Sequence, residues 1–561
     1  LQDSNGERFL PSTTWALVRQ ESDPVEFDDA GNLIYENTPF DPTDPDDLET
    51  LQDLDTLWDD LAPTMSFVSQ VVDVPRRDVL LAWDIKTQTI KEPLDREVEG
   101  SLANTLPSVP LFGAAGPGMG GMNVIAAAGG GTTPTDIFNS VNPSICPATG
   151  ACGTVGQIYA GAFVAPNYQI DTPNPADGGD PVPGPWSAPL RPDKVGDAVI
   201  SVTAFTPNTA IIEKPAGGWP VIIFGHGITR SRLDVFAVAS QLTASGFAVI
   251  THDWVAHGDP RSPLGAGRAV QIDFDSPQCQ GQPDPTDRDT GGITCYGGFF
   301  SSDLAASRDN FRQSALDTMS LVNSLETCTG GACGGDFDVD SARVGFLGQS
   351  LGGIIGTIVV AMSPDIKAAV FNVTGVGLSD VIESTQSKLL QCPLIDALIL
   401  AGVIDGDLSD PGSGTGTCFG DDWKTDPRWV AFANTARWIL DPADGVNYVD
   451  RLVGRAVFVQ EVDEDETVPN VSTANLVQLL GTTAIEAAVY TGTPMPPNPT
   501  GAVLSGSRGP LHLRYLTVDT PAPNTYGHGS LLAPPGDSGA AGQLGTAQMQ
   551  TDAITYLILS L

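Results

Sequence analysis

The spacing of apolar residues changes along the chain, and these changes predict its elements. Near the N-terminus, Asp44-Pro45 is typical of a helix N-cap followed by proline at the first helical position. Apolar residues then recur every three or four positions, at Leu48, Leu51, Leu54, Leu57, Trp58 and Leu61. This segment is predicted to form an amphipathic helix with one packed stripe and one acidic face. Residues 81–89 alternate between apolar and polar, which predicts a half-buried strand.

From about residue 198 onward, short apolar-rich runs alternate with helix-compatible segments. The runs predict buried strands at residues 198–205, 221–224, 247–251, 344–347, 456–459 and 511–518. Helices are predicted at residues 233–245 and 354–362. This alternation favours an α/β architecture with a mostly parallel sheet between helices. We therefore predict an α/β unit over residues 191–561 and a β-rich N-terminal accessory domain over residues 1–190, with the boundary at the proline-rich run 173–192.

Composition narrows the classes of function. The 561 residues include 27 Lys and Arg against 68 Asp and Glu, a net charge of −41, while 41% of residues are hydrophobic. That apolar content can build cores, so the chain is not disordered throughout. A polyanion is repelled by nucleic acid, which we exclude as a partner. The acidity favours solubility or salt tolerance, and a set of cation sites is the less favoured interpretation.

The eight cysteines fall into four sequential pairs. These are Cys146 with Cys152, Cys279 with Cys295, Cys328 with Cys333, and Cys392 with Cys418. Nearest-neighbour pairing is the simplest of about 105 possible connectivities, and no CxxC motif supports zinc instead. Disulfides imply an oxidising compartment, so we expect secretion or the outer surface of a bacterial cell. We find no transmembrane run, and we interpret the chain from Leu1 as processed, with an earlier lipid anchor left open.

One segment combines a strand, a sharp turn and a helix around a serine. The apolar run 344–347 leads into Gly348-Gln349-Ser350-Leu351-Gly352, and helix-compatible residues follow until Pro364. In a G-x-S-x-G turn, neighbours without a Cβ let the serine hydroxyl project into a cleft, and the next backbone N–H points at a developing oxyanion. Ser350 is therefore the candidate nucleophile.

A serine needs a base, and in this kind of site an acid and then a histidine follow it along the chain. The strand 456–459 runs into several acidic residues, among which the Asp-x-x-Val-Pro spacing favours Asp465 and leaves Asp463 as the alternative. His528 lies in a glycine-flanked loop after the last strand and is the candidate base.

The remaining histidines have simpler interpretations. His226 and His257 each precede a glycine in a loop after a strand, and we expect them to stabilise turns rather than to react. His512 lies within a strand pattern and is expected to pack there. His252 has no distinguishing context.

Taken together, the motifs resemble the lipase and esterase branch of the α/β-hydrolase fold over about residues 195–561. The segments that carry the resemblance are Phe224-Gly225-His226-Gly227, Asp253 with His257-Gly258, Arg343-Val344-Gly345 before Gly348 to Gly353, and Asp465 with Val468-Pro469. Upstream, residues 79–84 and 87–89 resemble the N-terminal domain of bacterial extracellular, virulence-factor-type lipases. Gln349 departs from the pattern, because many lipases have histidine there.

The resemblance implies a serine carboxylic-ester hydrolase that works through an acyl-enzyme. It assigns Ser350 as the nucleophile, His528 as the general base and later general acid, and Asp465 as the group that orients His528. The oxyanion hole would use the backbone N–H groups of Leu351 and Ile228. This chemistry needs neither a cofactor nor a metal.

An insertion at about residues 374–454 is far longer than a usual connection of roughly two to six residues. It holds many leucines and isoleucines around Cys392. It is either a disulfide-tethered cap over the active site or an ordinary packed subdomain, and residues 260–300 are a candidate second wall. An apolar cap favours acyl chains, so lysophospholipids, triacylglycerols and polyesters are the candidate substrates.

Other interpretations stay open at this stage. A non-catalytic surface adhesin or cation-binding protein could retain the same fold, and a protease or thioesterase is a lesser rival. Arg230 and Arg232 follow the loop that contains Ile228, here called the oxyanion loop, and their side chains could bind a substrate phosphate or carboxylate. We expect them instead to form surface ion pairs with acidic residues.

Overall fold

A computed structural model of the chain divides into two compact units, residues 1–88 and 89–561. The structure describes residues 12–28, 30–79, 89–117, 120–146, 152–273, 295–410, 412–482, 485–487, 509–516, 526–536 and 538–561. The strand predicted over residues 81–89, and most of the upstream motif that resembles virulence-factor-type lipases, lie outside the described residues.

The N-terminal unit is mainly helical where it is described. It contains α1 (Thr13–Val18), an antiparallel pair of β1 (Val25–Phe27) and β2 (Leu33–Glu36), and α2 (Pro45–Gln70). The predicted amphipathic helix is confirmed as α2. The Asp44 carboxylate caps it by accepting the N–H of Asp46 at 2.9 Å. Its apolar stripe is buried, at Leu51, Leu54, Trp58, Leu61 and Met65.

The second unit is built on a ten-stranded mixed sheet. The strands of this unit are β3 (Asn123–Ala127), β4 (Val155–Asn167), β5 (Gln169–Thr172), β6 (Val182–Trp186), β7 (Gly196–Pro207), β8 (Trp219–Gly225), β9 (Ala248–His252), β10 (Val339–Gln349), β11 (Ile366–Asn372), β12 (Ala456–Val462), β13 (Ile485–Ala487) and β14 (Leu511–Tyr515). The order in the sheet is β13-β14-β12-β11-β10-β8-β9-β7-β4-β3, and β5 pairs with β6 separately.

The strand directions explain where chemistry can be placed. From β13 to β9 all neighbours are parallel, whereas β7, β4 and β3 join antiparallel at one side. The loops after β8, β10, β12 and β14 therefore meet at one edge of the sheet, where ligands bind in open α/β sheets. This is an α/β-hydrolase core, as the sequence predicted.

Helices cover both faces of the sheet. The α-helices described in this unit are α3 (Pro134–Val141), α4 (Phe236–Ala244), α5 (Leu304–Leu325), α6 (Leu351–Met362), α7 (Leu378–Ser384), α8 (Lys388–Leu400), α9 (Pro427–Leu440), α10 (Asn470–Leu480) and α11 (Gly539–Ser560). Of these, α7, α8 and α9 belong to the insertion between β11 and β12. Helix α6 is buried along its whole length and packs on β10 and β11. The element that carries the candidate nucleophile is thus held inside the core.

The division between the units differs from the boundary that we expected near residue 190. Strands β3 and β4 fall within the expected accessory domain, yet β4 pairs with β7 along its full length and so belongs to the large sheet. The proline-rich run 173–192 instead contains part of the β5–β6 hairpin. A long antiparallel pairing is not visible in local composition, which explains the difference.

The insertion between β11 and β12 forms helices α7, α8 and α9 with its own apolar cluster. The disulfide between Cys392 and Cys418 lies within that cluster. Disulfides also join Cys146 to Cys152 and Cys328 to Cys333, so three of the four predicted pairs are confirmed. Cys279, of the fourth pair, lies outside the described residues.

No helix in the described part of the chain combines the length and the apolar character that crossing a bilayer demands.

Candidate active site

Ser350 lies at the turn between β10 and α6. Its backbone has φ 56° and ψ −120°, a conformation that side-chain-bearing residues rarely adopt. The turn is held by a hydrogen bond from the Ser350 N–H to the Asn372 carbonyl of the neighbouring strand, at 2.9 Å. A strained serine between a buried strand and a buried helix is the geometry that the G-x-S-x-G pattern predicted.

The glycines of this turn are required by close backbone approach. An ideal Cβ on Gly352 would lie 2.1 Å from the carbonyl oxygen of Gly225, at the end of β8. A Cβ on Gly348 would lie 2.4 Å from the carbonyl oxygen of Gly352. Both contacts are with backbone atoms, which cannot rotate away as the end of a side chain would.

Gly352→Ala is therefore expected to destabilise the second unit by about 3 kcal/mol, the cost of forcing an extra carbon into a packed core. The matched control is Gly131→Ala, where a Cβ would meet nothing within 4 Å. Thermal unfolding should show a midpoint lowered by several degrees for Gly352→Ala and unchanged or slightly raised for Gly131→Ala. Equal midpoints for both variants would contradict the close approach.

Three side chains from distant parts of the chain meet at the end of the sheet. The His528 Nε2 lies 2.8 Å from the Ser350 hydroxyl oxygen. On the other side of the ring, Nδ1 lies 2.9 Å and 2.8 Å from the two carboxylate oxygens of Asp465. A carboxylate only accepts, so Nδ1 carries the proton and Nε2 is free to accept from the serine.

Asp465 is fixed by its own loop. Its Oδ1 accepts the N–H of Thr467 at 2.8 Å and of Val468 at 3.0 Å, which explains the Asp-x-x-Val-Pro spacing. The side chain of Asn470 accepts the Asp465 N–H at 3.3 Å and donates to the Val462 carbonyl at 2.7 Å. The carboxylate, 2% exposed, is thus held by the turn, while the Asp465 backbone is held by the start of α10.

The structure separates the two candidate acids. Asp463 lies two residues earlier, and its carboxylate pairs with Arg514 of β14 rather than with His528. Between them Glu464 has φ 55°, so the chain reverses locally and sends the two aspartates to different partners. Sequence spacing favoured Asp465, and the geometry agrees.

Gln349 has a supporting contact that the sequence did not suggest. Its side-chain amide donates to the His528 carbonyl at 3.2 Å. It therefore tethers the histidine loop from the residue next to the serine. The contact joins positions that are far apart in the chain, so no local pattern could have indicated it.

The two backbone donors predicted for the oxyanion hole lie beside the serine. Leu351 is the first residue of α6, where an N–H has no intrahelical partner. Ile228 lies in the loop after β8, and a Cβ on Gly227 next to it would be 3.4 Å from the Ser350 Cβ. Among the described residues, neither the Leu351 nor the Ile228 N–H has a hydrogen-bond partner.

The other histidines are buried and structural. His226 accepts the N–H of Trp254 through Nε2 at 3.2 Å, and His257 accepts the N–H of Thr229 at 3.1 Å, so the turn-stabilising interpretation is confirmed. Burial lowers the pKa of His257 to about 4. His512 is packed in β14 against Glu461 at 2.8 Å, as expected.

The two arginines after the oxyanion loop differ from each other. Arg230 forms the expected surface ion pair, with Asp234 at 2.6 Å. Arg232 is 1% exposed and pairs with buried Asp253, so the expectation of a surface pair is wrong for it. Asp253 follows β9 at the same edge of the sheet, so its buried carboxylate lies beside Arg232. The Arg232 guanidinium also donates to the Gly265 carbonyl.

An apolar cavity of about 330 Å³ adjoins this site. Its walls come from the loop at Ile228, from residues 256–272 and 296–304, and from α7, α8 and α9 of the insertion. Ser350 does not line the cavity, whereas Ile228, in the loop beside the serine, does. Residues of α9 such as Trp429 and Ala436 line the cavity but carried no motif, because only folding brings them there.

Comparison with known proteins gives only distant likenesses. No family model and no curated protein matches the chain. Among solved structures, the chain is similar to an acetyl xylan esterase from Paenibacillus sp. R4, with 15% identity, 80% of this chain and 91% of that chain covered, and a TM-score of 0.41. It is also similar to an acetyl xylan esterase from Thermoanaerobacterium sp. JW/SL YS485, at 15% identity, 71% and 84% coverage and a TM-score of 0.36. A further similarity is to the Pyrococcus furiosus esterase Pf2001, at 12% identity, 64% and 87% coverage and a TM-score of 0.32.

Proposed function

We propose that the second unit is a serine carboxylic-ester hydrolase that acts on esters with an apolar acyl chain. The observation that carries the proposal is the continuous hydrogen-bond chain from Ser350 through His528 to Asp465, with each link at 2.8–2.9 Å. A serine hydroxyl becomes a nucleophile when a positioned base accepts its proton. The strained turn that presents Ser350 supports the same conclusion.

In the proposed reaction, the Ser350 hydroxyl attacks the ester carbonyl while His528 Nε2 takes its proton. The resulting oxyanion would be stabilised by the N–H groups of Leu351 and Ile228, and Asp465 would stabilise the imidazolium. His528 then gives the proton to the leaving alcohol, and the acyl group stays on the serine. Water, activated by His528, releases the carboxylic acid and restores the hydroxyl.

The shape of the cavity supports acyl esters of more than two carbons. Its lining is dominated by aliphatic and aromatic residues from α8 and α9, such as Leu390, Leu394 and Trp429. Transfer of each acyl CH₂ from water to such a lining contributes about 0.8 kcal/mol. This favours the interpretation of residues 374–454 as a cap, and lysophospholipids, triacylglycerols and aliphatic polyesters as the candidate substrates.

The disulfides support an oxidising compartment for this activity. Cys392 and Cys418 are joined within the proposed cap, and bonds of this kind persist mainly in secreted or cell-surface proteins. Secretion, or display on the outer surface of a bacterium, is accordingly part of the proposal.

The test is an acyl-length series of p-nitrophenyl esters, extended by lysophosphatidylcholine and an aliphatic polyester. Ala397 lines the cavity from α8. Ala397→Phe should therefore lower kcat/KM for acyl chains of eight or more carbons by about tenfold or more, because about two CH₂ groups of the chain can no longer be buried. The acetate ester should be affected less than about threefold, because its acyl group is too short to need that space.

Ala401→Phe is the matched control, because Ala401 is exposed at the end of the same helix and outside the cavity. It should leave the whole series unchanged. A wild-type preference for acetate over all longer chains would leave an esterase without the proposed acyl site. Absence of turnover on every ester would favour the non-catalytic surface protein instead.

A further inference from the structure

The loop that presents the Ile228 N–H is an unusual stretch of backbone. It follows β8 and contains Thr229 with φ 60°, a left-handed conformation that costs a non-glycine residue of order 1 kcal/mol or more. Such a conformation persists only when surrounding groups hold it. Two buried imidazole rings do so here, together with the Arg230 N–H, which donates to the Gly227 carbonyl at 3.3 Å.

His226 controls the peptide group that contains the Ile228 N–H. The Trp254 N–H can only donate, so His226 Nε2 accepts and Nδ1 carries the proton. Nδ1 then donates to the Gly227 carbonyl at 2.8 Å. That carbonyl shares its planar trans peptide with the Ile228 N–H, so pulling the oxygen toward His226 points the N–H the opposite way.

His257 controls the next peptide group. Thr229 donates its N–H to His257 Nε2 at 3.1 Å, so here too Nδ1 carries the proton and donates to the Val255 carbonyl at 2.8 Å. The ring is 4% exposed and stacks edge to face against Phe299, with ring centroids 5.2 Å apart. Its position and its tautomer are therefore both fixed.

We propose that His257 is a positioning residue of the oxyanion hole. Its neutral ring holds the Thr229 N–H and, with His226 on the other side of Ile228, fixes the direction in which the Ile228 N–H is presented. The proposal rests on the hydrolase function proposed above and adds a requirement to it: a histidine outside the catalytic triad must stay uncharged for the oxyanion hole to form.

The surroundings keep both rings uncharged. Burial is the largest cause that lowers the pKa of His257, and Arg268 lowers it further. Burial also lowers the pKa of His226, as do neighbouring His257, His252 and Arg230. Asp253 lies 3.8 Å from His226 but is already paired with Arg232. Neutral rings are therefore expected throughout the range from about pH 5 to 8, in which a free histidine would titrate.

Three variants test the role by turnover. His257→Phe keeps a ring but cannot accept a hydrogen bond, whereas the side-chain oxygen of His257→Gln can take the place of Nε2. His252→Phe is the matched control, because His252 is equally buried but bonds Thr318 and the Asp253 carbonyl instead of the loop.

His257→Phe should lower kcat by about 10- to 100-fold with KM changed less than about threefold, because an oxyanion donor acts mainly in the transition state. His257→Gln should recover most of this loss, and His252→Phe should stay within about threefold of wild type. Equal losses in His257→Phe and His252→Phe, or a change in KM alone, would overturn the positioning role.

A second measurement is independent of turnover. Single-amide hydrogen exchange on the wild-type protein should show the bonded Thr229 N–H exchanging at least tenfold more slowly than the free Ile228 N–H, and His257→Phe should remove the difference. If the two amides exchange equally fast in the wild type, the proposal fails even where the esterase activity is present. If no ester is hydrolysed but Thr229 is protected, the proposed function fails while the contact stands.

Discussion

Replacing Ser350 by alanine is expected to lower kcat for ester hydrolysis by about 10⁴- to 10⁶-fold, the loss seen when the nucleophile of a serine triad is removed. The hydroxyl oxygen lies 2.8 Å from His528 Nε2, and no other serine hydroxyl in the described part of the chain has such a contact. The variant should fold normally, because the turn is held by the Ser350 backbone N–H, which alanine retains. Initial rates on a p-nitrophenyl ester with purified protein give the result.

The matched control is Ser363→Ala. Ser363 is also buried, and within the described residues its hydroxyl has no hydrogen-bond partner, so its removal breaks no bond. This variant should retain full activity. Similar turnover in wild type and Ser350→Ala would show that the hydrolysis comes from a contaminant or another group, and the enzyme assignment would fail.

Asp465→Asn is expected to lower kcat by about 10³- to 10⁴-fold, because the amide forces the wrong histidine tautomer. The Thr467 and Val468 N–H groups already donate to one carboxylate oxygen, so the asparagine oxygen stays with them. Its NH₂ group then faces His528 Nδ1 and donates to it. The ring proton moves to Nε2, which can no longer accept from Ser350.

The same substitution two residues earlier is the control. Asp463→Asn should change kcat less than about threefold, since the Asp463 carboxylate meets Arg514 and is not part of the triad. Initial rates and the thermal midpoint of both variants should be measured together. A larger loss of activity in Asp463→Asn than in Asp465→Asn would transfer the role of the acid to Asp463.

Both effects depend on features that the sequence predicted well. The strand–serine–helix segment around Ser350 is local, because the glycines at 348 and 352 and the apolar run before them lie within ten residues. The strands of the parallel sheet were also predicted, because strands covered on both faces are apolar at nearly every position. The spacing that favoured Asp465 over Asp463 reflects hydrogen bonds that are themselves local, from Thr467 and Val468 to the Asp465 carboxylate.

Longer-range features were predicted poorly. The expected boundary near residue 190 fell inside the second unit, because β4 pairs with β7 across a separation that composition does not reveal. Arg232 was expected at the surface, but the loop after β9 places Asp253 beneath it. The Gln349 contact with the His528 carbonyl spans 179 residues, so it could not be read from a motif.

The serine turn, the strand periodicity and the loop of the acid are each specified over fewer than about ten neighbouring residues, so the candidate groups and their order follow from the sequence. Which side chains meet depends instead on the fold. The parallel sheet brings the ends of β8, β10, β12 and β14 to one edge, so that Ser350, Asp465 and His528 come into hydrogen-bond contact. The same edge gathers two buried imidazoles around Ile228, and helices of the 374–454 insertion line an apolar cavity beside it. These contacts are fixed by packing rather than by sequence proximity.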